Sequence, residues 1–243
     1  MKVKIKVKRY NGKDYYFDQY EVDIKDRTTI LEALMYIKDY TDSSLSFRAQ
    51  CRSGICGTCA VKVGENHVLA CKTKVVQFLQ NDILTLEPAG NLPVIKDLVT
   101  DQDVFIKKLK DAKAWFVPLE RFEPVFPDDL KLYEKETDCI LCGICYSVCP
   151  VFQTGLDFGG PINFVKIFRF WKDKNDALKD QRIVIAEKNK ITACVHCKYC
   201  SFSCPKEIPV EQDILQIRFF GKQKGIIKED QEGFGGFSTP FGF

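Results

Sequence analysis

The sequence predicts an α+β protein made of two unlike halves, and three observations carry the prediction. Residues 1–93 show strand-like alternation with one strong hairpin signal. A breaker-rich stretch, Glu87-Pro-Ala-Gly-Asn-Leu-Pro93, then interrupts the pattern, and beyond it apolar residues recur at helical spacing. In Met1-Lys-Val-Lys-Ile-Lys-Val-Lys-Arg9 the lysines alternate with Val3, Ile5 and Val7, so residues 2–8 read as a strand with one wet face. Lysines on such a strand also discourage edge-to-edge pairing. Asn11-Gly12 is a hairpin turn signal, and residues 15–24, rich in aromatic and β-branched side chains, read as the returning strand. Thr29 and Glu32 have the spacing of a capping box, and Ile30, Leu31, Leu34 and Ile37 share one helical face. Residues 60–63 and 83–86 read as further strands. Past Pro93, helices are read within 94–113, 164–171 and 208–219, with Pro118, Pro124 and Pro127 breaking the chain between the first two.

Charge and hydropathy exclude several classes. The 36 basic and 33 acidic residues leave a net charge of +3, so no strong field draws the chain to nucleic acid or to an anionic membrane. No run approaches eighteen consecutive apolar residues, and the most apolar helix, over 162–171, carries Lys166 and Arg169. Membrane attachment is therefore expected only through a partner. The N-terminus lacks a secretory pattern, which points to a reducing, cytoplasmic compartment where cysteines stay free for metal rather than pairing as disulfides.

The 12 cysteines fall into three groups of four with none left over. Cys51, Cys56, Cys59 and Cys71 read C-x4-C-x2-C with a more distant fourth, the spacing of a plant-type [2Fe-2S] loop. Cys139, Cys142, Cys145 and Cys149 read C-x2-C-x2-C-x3-C-P, and so do Cys194, Cys197, Cys200 and Cys204, which is the [4Fe-4S] run. In that run three cysteines hold one cluster and the fourth reaches across to the other. One [4Fe-4S] centre is thus expected on Cys139, Cys142, Cys145 and Cys204, and the second on Cys194, Cys197, Cys200 and Cys149. Gly54, Gly57 and Gly143 lack a Cβ and let backbone N–H groups close on a cluster, while Pro150 and Pro205 turn the chain away. Zinc also uses four-cysteine sites, but its knuckles pair two C-x2-C units and have no need of an x4 gap or a Cys-Pro. His67 and His196, the only histidines, are too few for a Rieske centre that would also leave cysteines unused; His196 reads as a neighbour of a cluster or a surface residue that could deliver a proton. Arg52, Lys198 and Lys206 stand beside cysteines and either offset cluster charge or are simply solvated.

These readings assemble into a fold class: an N-terminal β-grasp [2Fe-2S] ferredoxin-like domain over 1–93, an α-helical ferredoxin domain with two cubane clusters over 94–232, and a Gly/Phe-rich tail over 233–243. The tail reads as a frayed terminus, the alternative being docking of Phe234, Phe237, Phe241 and Phe243 on a partner. No nucleophile, phosphate loop or carboxylate pair stands out, so electron transfer rather than substrate chemistry is expected of the chain itself.

In order and spacing, Cys51-Arg-Ser-Gly-Ile-Cys-Gly-Thr-Cys59, Leu69-Ala-Cys71, Leu92-Pro-Val-Ile-Lys-Asp-Leu98 and Cys139-Ile-Leu-Cys-Gly-Ile-Cys145 before Cys149-Pro150 resemble the iron-sulfur subunit of succinate dehydrogenase and fumarate reductase. The resemblance covers nearly the whole chain. It implies a relay between a flavoprotein subunit carrying FAD and the dicarboxylate site, and a quinone pool or membrane-anchor subunit, with the complex peripheral to the inner face of the cell membrane. Two departures bear on the far end of that relay. Usual members have no ligand at the place of Cys197 and hold a [3Fe-4S] centre there, whereas Cys197 makes a [4Fe-4S] centre the expectation. Usual members also carry tryptophan after the Cys-Pro and histidine after the first cysteine of the last group, where this chain has Val151, Phe152, Gln153 and Val195. In both respects it is similar to a divergent branch in archaea and some bacteria, including thiol-linked fumarate reductases, whose further partner is a cysteine-rich subunit resembling heterodisulfide reductase.

Overall fold

A computed structural model describes residues 1–228. The tail over 233–243 and the end of the expected second domain lie outside the described residues.

β1 (Lys2–Tyr10) and β2 (Tyr15–Asp23) form the predicted antiparallel hairpin, in register from Lys2 opposite Asp23 to Tyr10 opposite Tyr15. The turn works as its residues suggest: Gly12 takes φ +101°, and Asn11 Oδ1 accepts from the backbone N–H of Lys13 and Asp14. α1 (Ile30–Tyr40) starts at the predicted capping box, in which Thr29 Oγ1 accepts from the N–H of Glu32 and Glu32 Oε2 accepts from the N–H of Thr29. Then come β3 (Ala60–Val63), β4 (Asn66–Leu69) and β5 (Ile83–Pro88). The sheet order is β2-β1-β5-β3-β4, with β5 parallel to β1 and the other pairs antiparallel. Val3, Ile5 and Val7 of β1 point inward against Leu31, Leu34 and Ile37 of α1, while the lysines of β1 remain outside.

The helix expected within 94–113 is only half present. β6 (Val94–Lys96) and β7 (Val99–Thr100) form a small hairpin, and α2 covers Asp103–Asp111 alone. The reason is Asp97. It has φ +48° and is buried; its carboxylate accepts from the backbone N–H of Tyr10 and Ser46 and pairs with Arg9 Nε at 2.9 Å. The helical spacing of Val94 and Leu98 yields to these tertiary partners, and Leu98 belongs to the core of the first unit.

The second unit is helical. Short helices α3 (Pro127–Lys131), α4 (Glu134–Thr137) and α5 (Ile144–Ser147) precede α6 (Pro161–Lys172), α7 (Gln181–Lys188), α8 (Tyr199–Phe202) and α9 (Val210–Gln223). Prolines set two of the long helix starts: Pro161 opens α6, and Pro209 precedes α9, so the expected start at Ile208 moves in by two residues. Phe164, Val165, Ile167 and Phe168 of α6 pack with Ile183 of α7 and Ile214 and Ile217 of α9 in a second core. Arg182 and Asp176, both fully buried, pair at 2.6 Å inside this unit. The guanidinium also donates to the carbonyls of Lys113 and Trp115, tying the incoming chain to α7.

Candidate functional site

Most of the cysteines are presented by loops, with Cys145 in α5 and Cys200 in α8, and the local backbone explains how. Gly54 and Gly57 adopt φ +70° and +71°, as the need for a tight wrap predicts, and Gly143 adopts +74°. In the first loop the N–H groups of Ser53, Ile55 and Cys56 point at Cys51 Sγ at 3.3–3.4 Å, and the N–H of Gly54 points at Cys71 Sγ at 3.2 Å. Those amides, that of Ser53 first, hold the Cys51 thiol down to about 6. Cys59 lies opposite on the core side, where burial pushes its thiol up to about 12. The first group thus has sulfur converging from the loop and from the segment after β4, with backbone dipoles already aimed at negative charge.

The second and third groups interleave. Cys139, Cys142, Cys145 and Cys204 together line one pocket, walled by Ile162, Val165, Ile208 and Val210. Burial pushes Cys142 up to about 12 and Cys145 well above its ordinary value, and Cys204 moves the same way. Cys149 leaves its own group: the sulfurs that act on it are those of Cys197 and Cys194, and Cys200 feels Cys194, Cys197 and Cys149. Burial holds Cys149 and Cys200 at about 12. Thiols pushed up in this way keep their protons against water and give them up to a metal. Cys197 is the exposed member. No group of three or more His, Cys, Asp or Glu among the described residues is spaced to hold a single metal ion. Four thiols lining one pocket fit a multi-iron core.

The three sites touch. A Cβ built on Gly57 would lie 2.8 Å from Cys142 Cα and 2.9 Å from the Ile140 carbonyl, so the first loop rests directly on the second. α5, which carries Cys145, in turn packs against α8, which carries Cys200 of the third site. Asn91, which sequence reasoning passed over as part of a breaker-rich stretch, braces this junction: its Nδ2 donates to the carbonyls of Tyr146, Ser147 and Cys149 at 2.9–3.1 Å. No motif marks it. His67 is a junction residue as well, since its Nε2 accepts from the N–H of Gly90 at 3.0 Å. His196 stays close to the third site, facing Glu211 Oε1 at 3.3 Å and Arg218 Nη1 on the other ring nitrogen.

Comparison with known proteins agrees with this division of labour. The 2Fe-2S iron-sulfur cluster binding domain family matches residues 4–107, and the 4Fe-4S dicluster domain family matches residues 136–208. The fumarate reductase iron-sulfur subunit of Mycobacterium tuberculosis is 37% identical over 79% of this chain and 80% of its own length. The chain belongs to the iron-sulfur subunits of fumarate reductase and succinate dehydrogenase. A second such subunit, of the 8-methylmenaquinol:fumarate reductase of Wolinella succinogenes, is 34% identical over 92% of this chain and 74% of that one. An uncharacterized iron-sulfur protein of Methanocaldococcus jannaschii is 36% identical over 94% of the chain, which spans only 45% of that relative. The fold is shared with a chain of the Mycobacterium smegmatis Sdh1 complex in the apo form, at TM-score 0.85 and 22% identity over 92% of this chain and 97% of that one. As an iron-sulfur subunit it is an electron-transfer component of an oxidoreductase, with one domain for a [2Fe-2S] and one for [4Fe-4S] centres. Among the described residues no helix is long and apolar enough to cross a membrane.

Proposed function

We propose that this chain relays electrons between a flavoprotein subunit, which carries FAD and the dicarboxylate site, and a quinone pool reached through a membrane-anchor partner. The observation that carries the reading is the succession of packed segments, the Gly57 loop against Cys142 and then α5, which holds Cys145, against α8, which holds Cys200. The clusters supply one-electron carriers at each station; the chain holds them in line. Cys51, Cys56, Cys59 and Cys71 are the ligands of a [2Fe-2S] centre, Cys139, Cys142, Cys145 and Cys204 those of a [4Fe-4S] centre, and Cys149, Cys194, Cys197 and Cys200 those of a second. The amides on Cys51 and Cys71 favour the charged form of the first centre. Exposed Val195, Tyr199 and Phe202, the last at 81%, surround the third site and form the face we assign to the anchor partner, which leaves the chain itself peripheral to the membrane. Quinone fits the far end because relatives named for it, a methylmenaquinol:fumarate reductase and a ubiquinone-linked succinate dehydrogenase, match over most of the chain.

Iron and acid-labile sulfide per chain, with electron paramagnetic resonance (EPR) of oxidised and dithionite-reduced protein purified without oxygen, test the ligand sets. The expected result is about ten irons and no three-iron signal on mild oxidation. About nine irons with a strong oxidised three-iron signal would remove Cys197 from the ligands, and zinc in place of iron would end the redox reading.

A further inference from the structure

Lys166 is a buried cation with no carboxylate partner among the described residues. It lies in the middle of α6, 7% exposed, between Val165, which lines the cavity of the middle site, and Ile167 of the second core. Its Nζ donates to the backbone carbonyl of Cys139, at a long 3.4 Å, and the thiol of the same cysteine, a ligand assigned to the middle site, is within its reach. No carboxylate among the described residues reaches it. Burial lowers its pKa, the Cys139 thiol raises it, and Arg169, a second cation, lowers it again. An ammonium group desolvated against one carbonyl and a like charge is unfavourable unless an opposite charge offsets the burial.

The missing charge belongs to the neighbouring cavity. A four-iron core held by Cys139, Cys142, Cys145 and Cys204 through their thiolates is a dianion when oxidised and a trianion when reduced. We propose that Lys166 is the fixed countercharge of this middle centre and raises its reduction potential, so that the centre accepts electrons from its neighbours more readily. The inference rests on the ligand assignment above. The step it acts on is the gain of one electron by the cluster; no bond forms or breaks, and the lysine proton stays in place. Lys166 is a positioning charge and not a ligand.

A unit charge in partly screened protein shifts such an equilibrium on the order of tenfold, which is about 59 mV for one electron. The test is an EPR-monitored redox titration of the full chain, purified without oxygen, as wild type, Lys166→Met and Lys166→Arg. Lys166→Met should make the middle centre about tenfold harder to reduce with the other two unmoved, and Lys166→Arg should stay near wild type. An unchanged midpoint in Lys166→Met at full iron content overturns the proposal. Loss of the middle centre in the methionine variant with retention in the arginine variant supports the charge role; loss in both makes the lysine a packing element and overturns it. Absence of a middle four-iron signal in wild type would instead count against the ligand assignment.

Discussion

The two halves of the molecule hold their cysteines by opposite strategies. In the first, three sulfurs come from one nine-residue loop, Cys51 to Cys59, and the fourth from Cys71 close by, with Cys59 and Cys71 at the margin of an apolar core built mainly by the sheet and α1. In the second, each site draws a cysteine from a segment far away in sequence, Cys204 to Cys139 and Cys149 to Cys194, and several of those cysteines are part of the core itself. The sheet half is a scaffold that carries a site, whereas the helical half is in part made by its sites.

Removing a cross-tie is the strongest way to break that contrast. Cys204→Ser should cost about four irons per chain and leave the helical half open to limited proteolysis, while the [2Fe-2S] signal and a fragment spanning the first unit through β7 persist. Equal degradation of both halves would mean that the sheet half has no autonomy.

A smaller effect separates the two buried arginines. Arg182→Met leaves Asp176, at 0% exposure, with the backbone N–H groups of Val117 and Leu178 but no countercharge and no route to water, and should destabilise the helical unit by about 3–5 kcal/mol. Arg9→Met also strands carboxylates, but Asp18 and Asp42 are 40% and 24% exposed and can rehydrate, and Asp97 keeps two backbone donors. A loss of about 2 kcal/mol is expected there. Denaturant midpoints read by circular dichroism without oxygen check the order, and a larger loss in Arg9→Met would reverse it.

Least is expected at the junction of the halves, under acid. Burial lowers the His67 pKa from 6.5 to about 4. The unfolded chain therefore takes up this proton first: the stability is complete above 6.5 and is lost progressively as the pH falls from there toward 4. Roughly 2 kcal/mol should disappear by about pH 5. His67→Gln keeps an acceptor for Gly90 without a charge, so its melting temperature should fall less than wild type between about pH 7.5 and pH 5. Parallel slopes would show that the histidine does not titrate at the junction.

Much of this was legible in the sequence, because local chemistry decided it. The hairpin at Asn11-Gly12, the Thr29 cap and the positive φ of Gly54, Gly57 and Gly143 each depend on residues a few positions apart. What escaped depends on distant partners. Asp97 turns a helical spacing into a hairpin by way of Arg9, Tyr10 and Ser46. The bracing by Asn91 exists only once residues 146–149 arrive beside it. The four-residue β4 and the weakly patterned α7 were missed since neither has a strong period of its own.

The crosswise pairing we propose would also impose an order on biogenesis. The loop at Cys51 is complete once residue 71 has been synthesised, so its centre can be loaded on a nascent chain. The site at Cys139 lacks its last thiolate until residue 204 emerges. Cys149 likewise waits for Cys194. On the ligand sets proposed above, both cubane centres would therefore be completed only after the segment from residue 194 to residue 204 has been made.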